Sequence, residues 1–156
     1  MDAKKVSESK TEQIQMVMAE DINGYGRLFG GRLMQWIDIV GGVVARRHAN
    51  MNATTASVDD LQFKAAAYVN EMIVLNGQVT YVGKTSMEIR VEAYVEHLNG
   101  SRSMINRAYM VYVALDKNEN PTSVPRLTPE TEEEKAEWEA GEKRAKLRKE
   151  RKEMGY

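Results

Sequence analysis

The sequence predicts an α+β fold in which one long central helix is wrapped by a curved antiparallel sheet. Only Gly30 to about Ala49 carries a helical apolar period wide enough for a core stripe, through Leu33, Trp36, Ile37, Val40 and Val44. The rest of the region from 11 to 127 reads as extended segments joined by turns. With no second core helix, the stripe must pack on one face of a sheet, which excludes alternating β-α-β architecture.

The elements follow in order. Residues 1–10 are polar and read as a flexible lead-in to a domain over 11–127. From Glu12 to Met18 polar and apolar residues alternate, with Ile14, Met16 and Met18 on one side, as in a half-buried strand. Asp21-Ile22-Asn23-Gly24-Tyr25-Gly26 is dense in turn formers and precedes the helix as a loop. After Asn50-Met51-Asn52, Thr54 to Phe63 is an irregular strand. Met72–Val82, Ser86–His97 and Ser103–Leu115 are rich in Val, Ile, Tyr and Met, with Gly83-Lys84 and Asn99-Gly100 as their turns. Gly77 inside a strand suggests a bulge or bend. One helix and a meander of this kind make the arrangement called the hot-dog fold.

The tail from 128 to 156 differs in kind. Residues 130–142 hold seven Glu and one Lys, and residues 143–152 hold seven Lys or Arg and one Glu. Glu at the front and Lys/Arg at the back suit the helix dipole. Thr128-Pro129-Glu130 reads as an N-cap followed by Pro at the first helical position. This predicts a solvated helix with a frayed basic end, docked loosely at most through Trp138 and Leu147. Its basic run is a candidate patch for phosphates.

Composition removes several functions. The 156 residues include no Cys, which excludes a thiol nucleophile and thiolate zinc sites, and two His are too few for a His-rich metal centre. A net charge of −1 does not suggest nucleic-acid binding, and no apolar run approaches a membrane span. There is no signal-peptide pattern at the start, so a cytoplasmic location is expected. No Walker A loop, complete G-x-G-x-x-G or G-x-S-x-G elbow is present.

What remains is the glycine-rich loop and one acid. The loop runs into the start of a helix, whose first N–H groups lack intrahelical partners and can hold an anion or developing oxyanion. Gly30 and Gly31 supply those groups, and Asn23 adds a side chain that can donate or accept. Asp38 stands mid-helix, where Asp is a poor helix former, beside Met34, Gly41, Gly42 and Ala45. A small, apolar face of this kind would desolvate the carboxylate in part and make it a better base; the other reading is an ordinary solvent-facing Asp. The paired glycines suggest close packing against another backbone. Asp59 and Asp60 are rival acids that strand-start hydrogen bonding explains, and neither His48 nor His97 is needed for chemistry. His48 is read as a favourable charge at a helix C-terminus.

The string Asp21-x-Asn23-x-x-Gly26-x-Leu28-Phe29-Gly30-Gly31, with Trp36-x-Asp38 and Arg47-His48, resembles the hot-dog acyl-CoA thioesterases, in the acyl-CoA hydrolase branch. Ser57-Val58-Asp59-x-Leu61-x-Phe63, Val82-Gly83-x-Thr85-Ser86-Met87-Glu88 and Val124-Pro125-x-Leu127 extend the likeness over about residues 12–127. Ala19, Ala66 and Asn70-Glu71 depart from the family pattern, in turns and strand starts. The resemblance implies hydrolysis of fatty acyl-CoA to free acid and CoA, with Asn23 and Asp38 as the catalytic pair. It also implies a site built across a dimer, assembled further as a trimer of dimers. It places CoA near Gly83, Thr85 and Ser86 and requires no metal or other cofactor. Arg46, Arg47 and Lys84, or the basic tail, are candidate partners for the CoA phosphates, because Arg and Lys favour such groups. A non-catalytic acyl-CoA binder on the same fold is the alternative. A dehydratase would need an Asp-His pair, and Asp38 and His48 lie nearly three helical turns apart.

Overall fold

The computed structural model of the protein describes residues 1–155. At its centre lies helix α1 (Gly30–Ala49), which ends where Asn50 takes the left-handed conformation. All five stripe residues, Leu33, Trp36, Ile37, Val40 and Val44, are buried. They pack on one antiparallel sheet made of β2 (Thr11–Met16), β3 (Asn52–Phe63), β4 (Met72–Val82), β5 (Ser86–Glu96) and β6 (Arg102–Leu115). The strands lie in the order β2-β4-β5-β6-β3. The chain therefore folds as the expected α+β hot dog, with β4-β5-β6 as a meander and β2 and β3 at the two edges. The β5–β6 connection is a longer loop, 97–101, in which Gly100 alone takes a positive φ, +87°, rather than a two-residue Asn-Gly turn.

Ile73, Leu75, Val79, Met87, Ile89, Val91, Ala108 and Met110 form the sheet side of the core. Gly77 is not a bulge: its pairing with Thr11 and Val91 runs on without a register shift. Its role is clearance, since a Cβ there would meet Val40 Cγ1 at 2.8 Å and Val44 Cγ2 at 3.0 Å. The bulges lie elsewhere, two of them in β3, after Thr55 and after Asp59.

The chain ends are more ordered than the sequence suggests. In the first ten residues, β1 (Lys4–Lys5) pairs in parallel with β7 (Leu127–Thr128), and Val6 is buried. Lys4 Nζ donates to the carbonyls of Arg47 and His48 at 2.6 and 3.1 Å, capping the C-terminus of α1. His48 is not the charge at that end. It is fully buried, its Nε2 lies 2.9 Å from the Pro125 carbonyl, and burial holds its pKa below the ordinary value.

Helix α2 (Glu132–Glu153) starts later than expected, because β7 takes Thr128. Its N-cap is Thr131, whose Oγ1 accepts from Glu134 N at 3.0 Å. It is not a free solvated helix but lies on the outer face of the sheet. Gly141 is buried there, with room for a Cβ denied by Tyr81 Cβ at 2.6 Å, and Trp138 packs on Tyr81 at 4.5 Å between ring centroids. No helix among the described residues is long and apolar enough to cross a membrane.

Candidate active site

The loop before α1 is built by Asp21 and Asn23. Asp21 is buried; its Oδ2 accepts from Met18 N at 2.8 Å, its Oδ1 pairs with Arg32 at 3.1 Å, and its carbonyl accepts from Phe29 N at 2.8 Å. Asn23 Oδ1 accepts from Tyr25 N at 2.9 Å and Arg27 N at 3.2 Å. Two backbone donors thus fix the carboxamide oxygen inside the turn and leave the NH2 group outward. The structure narrows Asn23 from donor-or-acceptor to donor. Gly26, at φ +77°, closes this turn.

A cleft of about 350 Å³ opens beside this turn, lined by Asn23, Gly30, Leu33, Phe63, Ala67 and Ile105, among others. Gly30 and Gly31 begin α1, so their N–H groups have no intrahelical acceptor. Gly30 faces the Phe63 ring, 3.7 Å from where a Cβ would stand. Arg27 and Lys64 also line the cleft, so its wall is mixed: backbone donors beside Leu33, Phe63 and Ile105 suit a carbonyl oxygen attached to an acyl chain.

Asp38 belongs to a second cluster. Its Oδ1 accepts from Thr55 Oγ1 at 2.7 Å and lies 2.9 Å from the Tyr112 hydroxyl, which also reaches the Asp38 carbonyl at 3.0 Å. Burial, and then the Asp38 carboxylate, raise the Tyr112 pKa, so the phenol stays a donor. Both hydroxyls land on one oxygen and leave Oδ2 outward. In the isolated chain Asp38 is exposed rather than set in an apolar pocket. Gly41 is what admits Tyr112, because a Cβ there would collide with its hydroxyl. The close approach foreseen for the paired glycines is thus to a side chain, and at Gly41 only. Thr55 and Tyr112 have no mark in the sequence: both are ordinary strand residues, 17 and 74 positions from Asp38.

The two clusters do not converge within one chain. Gly30 and Asp38 are eight residues apart on α1, about 12 Å along its axis.

Gly83, Lys84, Thr85 and Ser86 form the β4–β5 turn, with Gly83 N donating to Ser86 O at 2.9 Å. Val124 N donates to the Lys84 carbonyl at 3.0 Å, and Arg126 to that of Gly83. The Lys84 side chain is exposed, as is Arg46. Arg47 is engaged structurally, donating to Lys10 O and Thr11 Oγ1, each at 3.1 Å. His97 sits at the rim of a turn against Ser103 Oγ. Asp59 is held by Arg148 and Arg151, and Asp60 by Gln62.

Residues 25–100 match the model of the thioesterase superfamily. An uncharacterized acyl-CoA thioester hydrolase of Bacillus subtilis is 39% identical over 146 residues, covering 93% of this chain and 85% of its own. An acyl-CoA hydrolase from Staphylococcus aureus, solved in complex with butyryl coenzyme A, coenzyme A and coenzyme A disulfide, superposes with a TM-score of 0.93 at 30% identity. The match covers 98% of this chain and 94% of that one. An apo hexameric acyl-CoA thioesterase superposes with a TM-score of 0.93 at 36% identity, covering 97% of each chain. The Staphylococcus aureus enzyme has also been solved with an Asn, an Asp and a Thr each replaced by alanine. Those three are spaced as Asn23, Asp38 and Thr55 are here. The chain belongs to the hot-dog acyl-CoA thioester hydrolases of the thioesterase superfamily.

Proposed function

We propose that the protein hydrolyses acyl-CoA to free acid and CoA at a site shared by two copies of the chain. One observation carries this reading: Gly30, in the cleft beside Asn23, and Asp38, bonded to Thr55, stand about 12 Å apart along the axis of α1, too far to act on one carbonyl within a chain. Pairing of β3 edges between two copies would set one chain's Asp38 against the other's Asn23. Assembly of three such dimers would give the hexamer named for one of the structural relatives.

In this mechanism the Asn23 NH2 group and the N–H groups of Gly30 and Gly31 polarise the thioester carbonyl. Asp38 Oδ2 takes a proton from water, and the water oxygen adds to the carbonyl carbon. The tetrahedral oxyanion gains charge where those donors point. It collapses by breaking the C–S bond; the CoA sulfur leaves as thiolate and is protonated by the acid formed on Asp38. Thr55 and Tyr112 fix the carboxylate through Oδ1, so its free oxygen faces the water. The reaction calls for no metal or prosthetic group. Of Arg46, Arg47 and Lys84, the exposed Lys84 and Arg46 are favoured for the phosphates of CoA over Arg47, which is engaged with Lys10 and Thr11.

Release of free thiol from acyl-CoA tests the chemistry. Asp38→Ala should lower kcat by about 10²–10⁴-fold, the range for a lost general base. Mixing tests the shared site: Asn23→Ala and Asp38→Ala should each be strongly impaired alone, and co-expressed they should regain activity, because a mixed dimer keeps one intact site. An absence of recovery in dimers shown to be mixed would place both residues in one chain's site.

A further inference from the structure

We propose that Arg148 is a positioning residue for hydrolysis: it ties α2 to the bulged middle of β3 and so holds Thr55 against Asp38. The inference rests on the reading of the site above.

The anchor is Glu88, a carboxylate on the outer face of β5 with 1% of its side chain exposed. Arg144 grips it with two hydrogen bonds, Nε to Oε2 at 3.0 Å and Nη2 to Oε1 at 2.8 Å, and Thr80 of β4 donates to Oε1 at 2.6 Å. Arg148 adds a fourth, Nη1 to Oε2 at 2.9 Å, and the same nitrogen reaches Asp59 Oδ2 at 3.2 Å. Arg151 holds the other Asp59 oxygen at 3.0 Å. A continuous chain of charge-assisted hydrogen bonds thus runs from β4 and β5 through α2 to β3.

β3 needs such a tie. It is an edge strand paired only with β6, and none of its twelve residues is buried. Its two bulges split the ladder into three short runs, and Asp60 sits at φ +50° in the second. The first leaves Ala56 unpaired and the second Asp60 and Leu61, and such irregularities let a strand bend locally. The middle run, Ser57–Asp59, lies between Thr55, which bonds Asp38, and Phe63, which lines the cleft. Asp59 is where α2 grips that run.

The arrangement separates the tie from the fold. With Arg148 removed, Arg144 still holds Glu88 through two hydrogen bonds, so the buried carboxylate keeps its counter-charge. What is lost is the Arg148 link between Glu88 and Asp59, which leaves Asp59 tied to α2 only through the half-exposed Arg151.

The test compares Arg148→Gln with Glu142→Gln, which changes an exposed site on α2. Arg148→Gln should lower kcat for acyl-CoA about tenfold with KM nearly unchanged, as misplacement of a catalytic group does. Arg148→Lys, which keeps the charge, should restore part of it. In a Thr55→Ala background the same change should cost little more, because both act through one contact. Equal loss in both backgrounds, or no loss, overturns the proposal. Hydrogen exchange gives a readout without turnover: amides of β3 should exchange faster in Arg148→Gln while those of β5 stay protected. If the unmodified protein fails to hydrolyse acyl-CoA, the functional reading falls, and the exchange result still decides whether α2 holds β3.

Discussion

Gly41 shows how far the carboxylate cluster depends on the absence of one methyl group. A Cβ at this position would meet Tyr112 at its hydroxyl, with Cζ at 2.9 Å and Cε2 at 3.0 Å, and Tyr112 is only 2% exposed and has nowhere to retreat. Gly42, one residue on, finds Tyr112 Cε1 no nearer than 4.0 Å. Gly41→Ala should therefore destabilise the protein by about 1–3 kcal/mol through overpacking, despite the gain in helix propensity. It should also reduce thiol release, because Tyr112 is pushed from Asp38. Denaturant unfolding and the acyl-CoA assay measure the two effects; a stable, fully active variant would show that Tyr112 does not set the carboxylate. Asp38 was legible in the sequence because an acid mid-helix among apolar neighbours breaks a local rule. Thr55 and Tyr112 were not, because Thr and Tyr are what a strand prefers, and only the tertiary fold brings them to the helix.

At the scale of elements, the periodicities place α1 and the strands to within a few residues and α2 as a helix, but not the firm docking of α2 on the sheet. The α2 sequence lacks an apolar stripe, and its docking face is instead a period of arginines at i, i+4 and i+7: Arg144, Arg148 and Arg151 reach inward while Lys143, Lys146, Lys149 and Lys152 stay exposed, a pattern hidden among like charges. The basic run is therefore spent partly inside the molecule, which leaves fewer cations for phosphate than its count implies. The same docking makes α2 sensitive to acid. Burial pushes the Glu88 and Asp59 carboxyls up. Hydrogen bonds from Arg144, Thr80 and Arg148 to Glu88, and from Arg151 and Arg148 to Asp59, outweigh this and hold both below the ordinary carboxylate value. Stability from a depressed carboxylate is complete above its unfolded pKa, about 4, and is lost as pH falls through the folded value. Fluorescence of Trp138, packed on Tyr81, should stay constant down to about pH 4 and change only below it. Release of α2 nearer neutrality would mean that these ion pairs do not hold it.

The whole molecule is unfinished along β3. That strand presents a free edge beside Asp38 and Ile39 of α1, and Val58 and Phe63 on it are 45% and 56% exposed. An exposed edge with apolar side chains is a template for pairing with another strand, and a charge on it is a common way to block that pairing. Val58→Lys should therefore shift the protein toward monomer in sedimentation velocity. Lysine at this position is solvated in a single chain and desolvated in a paired one, so the fold of each chain should survive, as far-UV circular dichroism would show. Asn23 and Asp38 are both retained in that monomer, yet thiol release should fall by about 10²-fold or more, the loss expected when a base is kept from its substrate. A monomer with full turnover would sink the shared site and leave both residues to act within one chain. An oligomer with full turnover would move the interface away from β3. Loss of assembly and activity together would make the edge strand part of the catalytic apparatus.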